Sequence, residues 1–351
     1  MITQYDAGAT CLIRRDGALD VKANTLWIDL LKPTPEEEKA IETALGLDVP
    51  TRAEMREIEV SNRFYSENGA HFMTALVLHA VENEAPQTTH LTFILSGNRL
   101  VTVRYAEPKA FQIFTDKACR NDPTCASGPH ILIGLIETLI QRQADHIEKV
   151  QDDVETLAPQ IFGQKHLGQN KGRRLDVMLR SIGKAGDLTS RAQESVVSFH
   201  RTLHYFADAA RERGEEKRLV ERVESANRDV GSLVDHLKSL SGRTAFLLDA
   251  TLGMISTEQN QIIKLFSVMA VMLMPPTLVA SVYGMNFRHM PELDWPWGYP
   301  IALGLMFVSA LIPFIYFRRK GWLKTSREPR HWQSESAAHT QHTQHAYVKA
   351  E

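Results

Sequence analysis

Two uncharged stretches near the C-terminal end constrain this chain more than any other feature. Residues 265–283 and 299–317 are each 19 residues long and contain no Asp, Glu, Lys or Arg. About 20 apolar residues, rising 1.5 Å each, cross a hydrocarbon core about 30 Å thick. The alternative is a pair of buried core helices, but such helices rarely remain uncharged for so long. The sequence therefore predicts two transmembrane helices.

The residues around the two spans predict their orientation. The basic run 318–320 follows the second span, and the positive-inside rule places that end in the cytosol. Two spans return the chain to its starting side, and residues 1–6 lack the regions of a secretory signal. We therefore expect both termini in the cytosol and the protein in the inner (plasma) membrane. Aromatic residues suited to the membrane interface lie near the span ends: Trp295, Trp297, Tyr299, Tyr316 and Trp322.

The composition excludes several other classes of protein. The net charge of −2 gives no basic face for nucleic acid. The three cysteines lack Cys-x-x-Cys spacing, so a disulfide framework is not expected. P-loop, Gly-x-Ser-x-Gly, His-Glu-x-x-His and dinucleotide motifs are absent from the sequence. We expect neither an enzyme nor an organic cofactor.

The N-terminal third reads as a mixed α/β domain. Residues 25–31 form an apolar run typical of a strand, and Thr34 and Pro35 are typical of a helix start. Asn68-Gly69 predicts a hairpin, and residues 90–95 and 99–104 predict a second one. Residues 119–129 are rich in turn formers, which places a domain boundary there.

Long helices are predicted from His130 onward. Pro159 and the segment 163–172 are expected to break the first of them. The third helix is unusually long, and no proline interrupts residues 214–274. It carries a coiled-coil-like seam with alternating spacings of three and four: Val220, Val223, Asn227, Val230, Val234, Leu237, Ser241, Thr244, Leu248, Thr251 and Ile255.

Two spans are too few to enclose a pore, so a channel built from them must be a symmetric oligomer. The first span is the better pore-lining candidate because it carries Ser267, Thr277 and Ser281. Pro275 and Pro276 would free backbone carbonyls, which is tolerated beside a wet cavity. A simple packing kink remains the alternative for these two prolines.

The first span ends in a three-residue motif with a specific context. Gly284-Met285-Asn286 closes the span, after residues 260–264 and before a short loop, a second span and a basic tail. This combination resembles the CorA family of magnesium transporters. The resemblance implies a funnel-shaped homopentamer in the lipid bilayer that moves Mg²⁺, and also Co²⁺ or Ni²⁺, into the cytosol. It implies that these three residues form the selectivity filter, although Asn286 alone also suits a helix C-cap.

The resemblance also implies a pore stripe and regulatory metal sites. The stripe would use Asn260, Ile263, Phe266, Ala270, Met274, Thr277 and Ser281, or these residues would form interhelical core. Cytosolic Mg²⁺ would bind acids between subunits, for which the candidates are Asp249, Asp235, Asp229, Asp152 and Asp153. Glu292 and Asp294 would attract cations to the loop, where Arg288 and His289 replace an acid that family members often carry.

The predicted organisation has six segments. They are an α/β domain (1–129), a helical region (130–264), the first span (265–283), an extracytoplasmic loop (284–298), the second span (299–317) and a basic, then His-rich, cytosolic tail (318–351). The tail histidines favour a disordered segment over a transition-metal site: His331, His339, His342 and His345. Two other functions remain open, a ZntB-like zinc transporter coupled to protons and a membrane-anchored signalling domain. Met285 disfavours the zinc branch, which usually departs from Met at that position.

Overall fold

The computed structural model describes residues 1–8, 11–57, 59–79, 87–121, 125–162, 171–285 and 296–322. The chain divides into two compact units, Met1–Gly253 and Met254–Glu351. The predicted fold class is confirmed: a mixed α/β part comes first, then long helices, and then two apolar helical segments.

One mixed sheet forms the centre of the α/β part. Its strand order is β2-β1-β3-β7-β6-β5-β4, with β3 and β7 parallel and all other neighbours antiparallel. The parallel pair is joined by buried polar contacts, because Thr102 donates to Asp29 at 2.6 Å and Arg104 donates to the same carboxylate at 2.8 Å. The described strands are β1 Ile2–Ala7, β2 Leu12–Asp16, β3 Thr25–Leu31, β4 Phe64–Glu67, β5 Ala70–His79, β6 Gln87–Ser96 and β7 Arg99–Arg104.

Local sequence signals place several of these elements correctly. Asn68 and Gly69 adopt φ values of 50° and 76° between β4 and β5, as a tight hairpin turn requires. The second predicted hairpin is the β6–β7 pair. Thr34 caps the first helix, since its hydroxyl accepts from the Glu37 amide and the Glu37 carboxylate accepts from the Thr34 amide.

Side chains from two helices cover the part of β5 that extends beyond β4. The Ser195 hydroxyl donates to the Leu76 carbonyl at 2.9 Å and accepts from the Leu78 amide at 3.3 Å. Ser198 accepts from the Leu76 amide, and the Gln143 amide donates to the Leu78 carbonyl. These bonds satisfy backbone groups that would otherwise be buried without partners.

The helices of the described chain are α1 Pro35–Leu45, α2 Val60–Arg63, α3 Lys109–Asn121, α4 Gly128–Phe162, α5 Lys171–Glu212, α6 Lys217–Tyr283 and α7 Gly298–Arg319, with a 3₁₀ turn at Glu54–Arg56. Residues 119–121 and 128–129, at the two ends of the predicted boundary segment, are helical. The predicted helix break at Pro159 is wrong. Pro159 lies inside α4 near its end, where it costs one hydrogen bond while the neighbouring Leu157 and Ile161 remain buried.

The buried seam of α6 differs from the predicted one by one residue at four positions. Val223, Val230, Leu237, Thr244 and Thr251 are buried as expected. The second line of the seam runs through Leu219, Ala226, Leu240 and Leu247, which precede the predicted positions Val220, Asn227, Ser241 and Leu248. Spacings of three and four fit both sets equally, so only the packing partner decides between them.

Polar contacts join α4 to α6 along their length. Glu137 accepts from Arg222 at 2.8 Å, Gln151 contacts His236 at 2.9 Å and Glu155 accepts from Arg243 at 3.3 Å. Residue numbers rise together on both helices, which therefore run in parallel. The Gln151 amide, and then Arg243, hold the pKa of Glu155 below its usual value.

Candidate ion-conduction site

Two helices are long and apolar enough to cross a membrane. They are α6, whose C-terminal part contains the first predicted span, and α7. Only 6% and 11% of their most apolar windows are buried within the chain. A core helix of a soluble protein would be mostly buried, so the alternative of two core helices does not fit these helices.

The predicted pore stripe lies on the uncovered face of α6. At about 100° per residue, its seven positions fall within an arc of about 120°, and all seven side chains are exposed in the single chain. Met274 and Phe266 are the most exposed of the large ones, at 69% and 62%. The stripe residues are Asn260, Ile263, Phe266, Ala270, Met274, Thr277 and Ser281. The stripe is therefore free to face other molecules.

The opposite face of α6 is covered within the chain. Val268 is only 2% exposed, and it lies about 140° round the helix from the centre of the stripe. The half-buried residues of the span fall on this same side, namely Met272, Pro275, Pro276, Val279 and Tyr283. This covered face was not among the features predicted from the sequence, although its recurring spacing of three or four residues was a signal for it.

Helix α7 also has a single covered face. Ala302 and Phe317 are buried, and Met306, Ala310 and Pro313 between them are half-buried. These positions are spaced by three or four residues along one side of the helix. Helix α7 and the C-terminal part of α6 belong to the same compact unit.

The two prolines, Pro275 and Pro276, change the hydrogen bonding of α6 between the stripe residues Met274 and Thr277. Both lie inside the helix, and because neither has an N–H, the Val271 and Met272 carbonyls lose their usual helical donors. The next carbonyl, of Leu273, accepts from the Thr277 hydroxyl at 2.7 Å. The prolines are on the covered side, whereas Thr277 is on the stripe.

The helix ends at the predicted filter. Tyr283 is its last residue, and the Gly284 amide still donates to the Ala280 carbonyl at 2.9 Å. A Cβ at position 284 would lie 3.1 Å from that carbonyl oxygen, so glycine permits this close turn. Met285 is 48% exposed. Asn286, Arg288, His289, Glu292 and Asp294 lie outside the described residues.

The five candidate regulatory aspartates are all exposed in the single chain. Asp235 accepts from Lys238 at 2.9 Å on the same helix. In the described part of the chain, no group of three or more His, Cys, Asp or Glu residues could hold a metal ion. Regulatory sites between subunits therefore remain a prediction for Asp249, Asp235, Asp229, Asp152 and Asp153.

Comparison with known proteins identifies the family. The model of the CorA-like Mg²⁺ transporter proteins matches residues 22–319. The chain belongs to the CorA family. The magnesium transport protein CorA of Yersinia pseudotuberculosis is 36% identical over 306 residues, which cover 87% of this chain and 94% of the relative. The Escherichia coli K12 protein of the same name is 35% identical over 86% of this chain and 92% of its own length.

Solved structures share the CorA fold with this chain. The complete CorA magnesium transporter of Methanocaldococcus jannaschii has a TM-score of 0.66 at 20% identity, over 92% of this chain and 99% of that one. The cytoplasmic domain of ZntB from Vibrio parahaemolyticus gives a TM-score of 0.55 at 10% identity, over 73% of this chain and 98% of that one. At these identities the likeness establishes the fold alone.

The CorA match includes the whole candidate site. Residues 22–319 contain both apolar helices, the predicted stripe and Gly284-Met285-Asn286. The match ends before the His-rich tail, so His331, His339, His342 and His345 have no counterpart in the family model. They also lie outside the described residues.

Proposed function

We propose that this chain is a divalent-cation channel of the inner membrane that conducts Mg²⁺, and also Co²⁺ and Ni²⁺, into the cytosol. The observation that carries the proposal is the uncovered stripe of α6, which leads to Gly284-Met285-Asn286 in a member of the CorA family. The working form is a funnel-shaped homopentamer with both termini in the cytosol. The basic end of α7, Arg318 and Arg319, supports that orientation.

The composition of the filter suits a hydrated ion. Mg²⁺ gives up its water reluctantly, so a selective site does best to recognise the hydrated ion. A ring of Asn286 side-chain carbonyls accepts hydrogen bonds from the outer face of that hydration shell. Neutral oxygens also release the ion more readily than a carboxylate ring would, which conduction requires. Glu292 and Asp294 would raise the local cation concentration outside the filter.

The stripe would supply both polar contacts and a gate. Asn260, Thr277 and Ser281 offer oxygen acceptors along the pore, while Ile263, Phe266, Ala270 and Met274 are apolar. Apolar rings close a narrow pore by excluding water. We propose that Mg²⁺ bound between subunits at exposed aspartates, with Asp249 the leading candidate, holds the gate closed.

Ion entry into proteoliposomes tests the proposal. The whole chain is reconstituted, and Mg²⁺ entry is compared among the native protein, Asn286→Ala and the control Asn24→Ala, which changes an exposed asparagine of the α/β part. We expect entry in the native and control proteins, and loss of entry or of selectivity in Asn286→Ala. Zn²⁺ entry driven by a proton gradient, without Mg²⁺ entry, would instead establish the ZntB-like function. A folded oligomer that conducts neither ion would favour the alternative of a membrane-anchored signalling domain.

A further inference from the structure

A cavity of about 330 Å³ opens at one edge of the sheet, far in sequence from the apolar helices. It lies where β5 and β7 end and β6 begins, beside the 3₁₀ turn Glu54–Arg56. Its polar lining brings together four separate segments of the chain: Arg52, Arg56, His79, Thr89, His90 and Tyr105. A volume of this size is in the range of small-molecule sites and well above that of a single inorganic phosphate.

The described lining of this cavity carries positive charge. Two arginines and two histidines line it, and none of its described lining residues is acidic. The acids of the neighbouring turn already have partners, since Glu54 accepts from the Thr51 amide and hydroxyl and Glu57 accepts from Asn62. Glu38 accepts from the Tyr105 hydroxyl at 3.3 Å, so one carboxylate lies beside the cavity. Its single negative charge is outnumbered by the two guanidinium groups of the lining.

The guanidinium groups also influence the histidine beside them. Burial lowers the pKa of His90, and the nearby Arg63 and Arg56 lower it further. A neutral imidazole offers one donor and one acceptor. The guanidinium of Arg52 lies 5.2 Å from the centre of the Tyr105 ring, and this stacking restricts its orientation before any ligand arrives.

We propose that this cavity binds a phosphate-bearing small molecule of nucleotide size. Guanidinium groups bind phosphate through paired, charge-assisted hydrogen bonds, and Arg52 and Arg56 supply two of them. The Thr88 hydroxyl and the His90 ring add neutral donors. The space beyond the phosphate contacts is large enough for a second phosphate or a nucleoside. The site is independent of the filter and of the proposed ion conduction.

Calorimetric titration of the whole chain in detergent, in Mg²⁺-free buffer, tests this site. The ligands are pyrophosphate, ATP and, as a carboxylate of similar charge, citrate. Arg56→Gln removes one guanidinium at an exposed position. Arg14→Gln is the control, because Arg14 is an exposed arginine of β2 at the sheet edge and pairs with Asp16.

We expect pyrophosphate or ATP to bind, and binding to weaken about tenfold or more in Arg56→Gln while Arg14→Gln stays within about twofold. Tighter binding of ATP than of pyrophosphate would identify a nucleotide, and equal binding an inorganic polyphosphate. The proposal is overturned if neither phosphate compound binds at millimolar concentration, if Arg56→Gln binds like the native chain, or if citrate binds as tightly. Because no ion flux is measured, failure here leaves the channel proposal standing.

Discussion

The hydroxyl of Thr277 donates a hydrogen bond to the Leu273 carbonyl oxygen at 2.7 Å, one turn back along α6. This bond uses the only hydrogen of the hydroxyl, so the oxygen is left with lone pairs that can only accept. A hydrated cation presents the hydrogens of its water outward. Thr277 therefore has the polarity that a passing hydrated Mg²⁺ needs.

Thr277→Val should reduce Mg²⁺ entry, whereas Thr277→Ser should preserve it. One lost acceptor bond of about 0.5–1.5 kcal/mol corresponds to a reduction of about 2- to 12-fold. Entry rates in proteoliposomes at equal protein density measure the effect. Equal rates in the valine and native proteins would show that Thr277 does not face the ion.

Met274 tests the proposed apolar gate. Met274→Ser should raise Mg²⁺ leakage when internal Mg²⁺ is high, because a polar ring keeps a narrow pore wet. Met269→Ser is the matched control, since Met269 is also an exposed methionine, 41% against 69% for Met274, but lies about 120° round the helix from the centre of the stripe. Leakage in both variants, or in the control alone, would argue against the assigned stripe.

Glu137 and Arg222 join α4 to α6 through two hydrogen bonds, at 2.8 and 2.5 Å. Both side chains are about one-third exposed, so solvent screens part of their attraction. A double-mutant cycle with Glu137→Gln and Arg222→Gln should give a coupling energy of about 0.5–1 kcal/mol in denaturant unfolding. Additive effects would mean that the ion pair contributes nothing beyond its separate contacts.

Asp6 gives the α/β part an acid-sensitive contact. Burial favours a higher pKa for Asp6, but hydrogen bonds from Arg15 and Thr25 more than offset it and lower the pKa. A folded pKa below the unfolded value of about 3.9 stabilises the fold above that pH, and the contribution disappears as pH falls through the folded pKa.

Asp6→Asn should therefore cost about 1–3 kcal/mol at pH 7 and flatten the loss of stability below about pH 4. Thermal unfolding followed by circular dichroism between pH 7 and pH 3 measures both effects. Asp187→Asn is the control, because the Asp187 side chain is 54% exposed and pairs with Arg191 on its own helix. An unchanged acid slope in Asp6→Asn would contradict the assignment.

Local signals in the sequence predicted much of the fold. The Thr34 cap, the Asn68-Gly69 turn and the unbroken α6 each depend on residues close together in the chain. The uncharged length of the two spans is equally local. The parallel pairing of β3 with β7 could not be predicted this way, because it joins residues about 75 positions apart.

Part of the candidate site could likewise be predicted from the local sequence, and part of it could not. The stripe follows from the helical period once α6 is continuous, and the structure adds that its opposite face is covered at Val268. Four buried seam residues of α6 lie one position before the predicted ones, because spacings of three and four residues fit both sets of positions equally. The cavity at Arg52 and Arg56 had no sequence signal, since its lining comes from four separate segments.

Block of Mg²⁺ entry by cobalt(III) hexaammine tests the central claim most directly. This complex does not exchange its ligands and has the size of a hydrated dication, so a filter that recognises the hydration shell should bind it. We predict that it abolishes Mg²⁺ entry from the extracytoplasmic side of native proteoliposomes, with no proton gradient present. Mg²⁺ entry that is insensitive to the complex would contradict a filter for the hydrated ion.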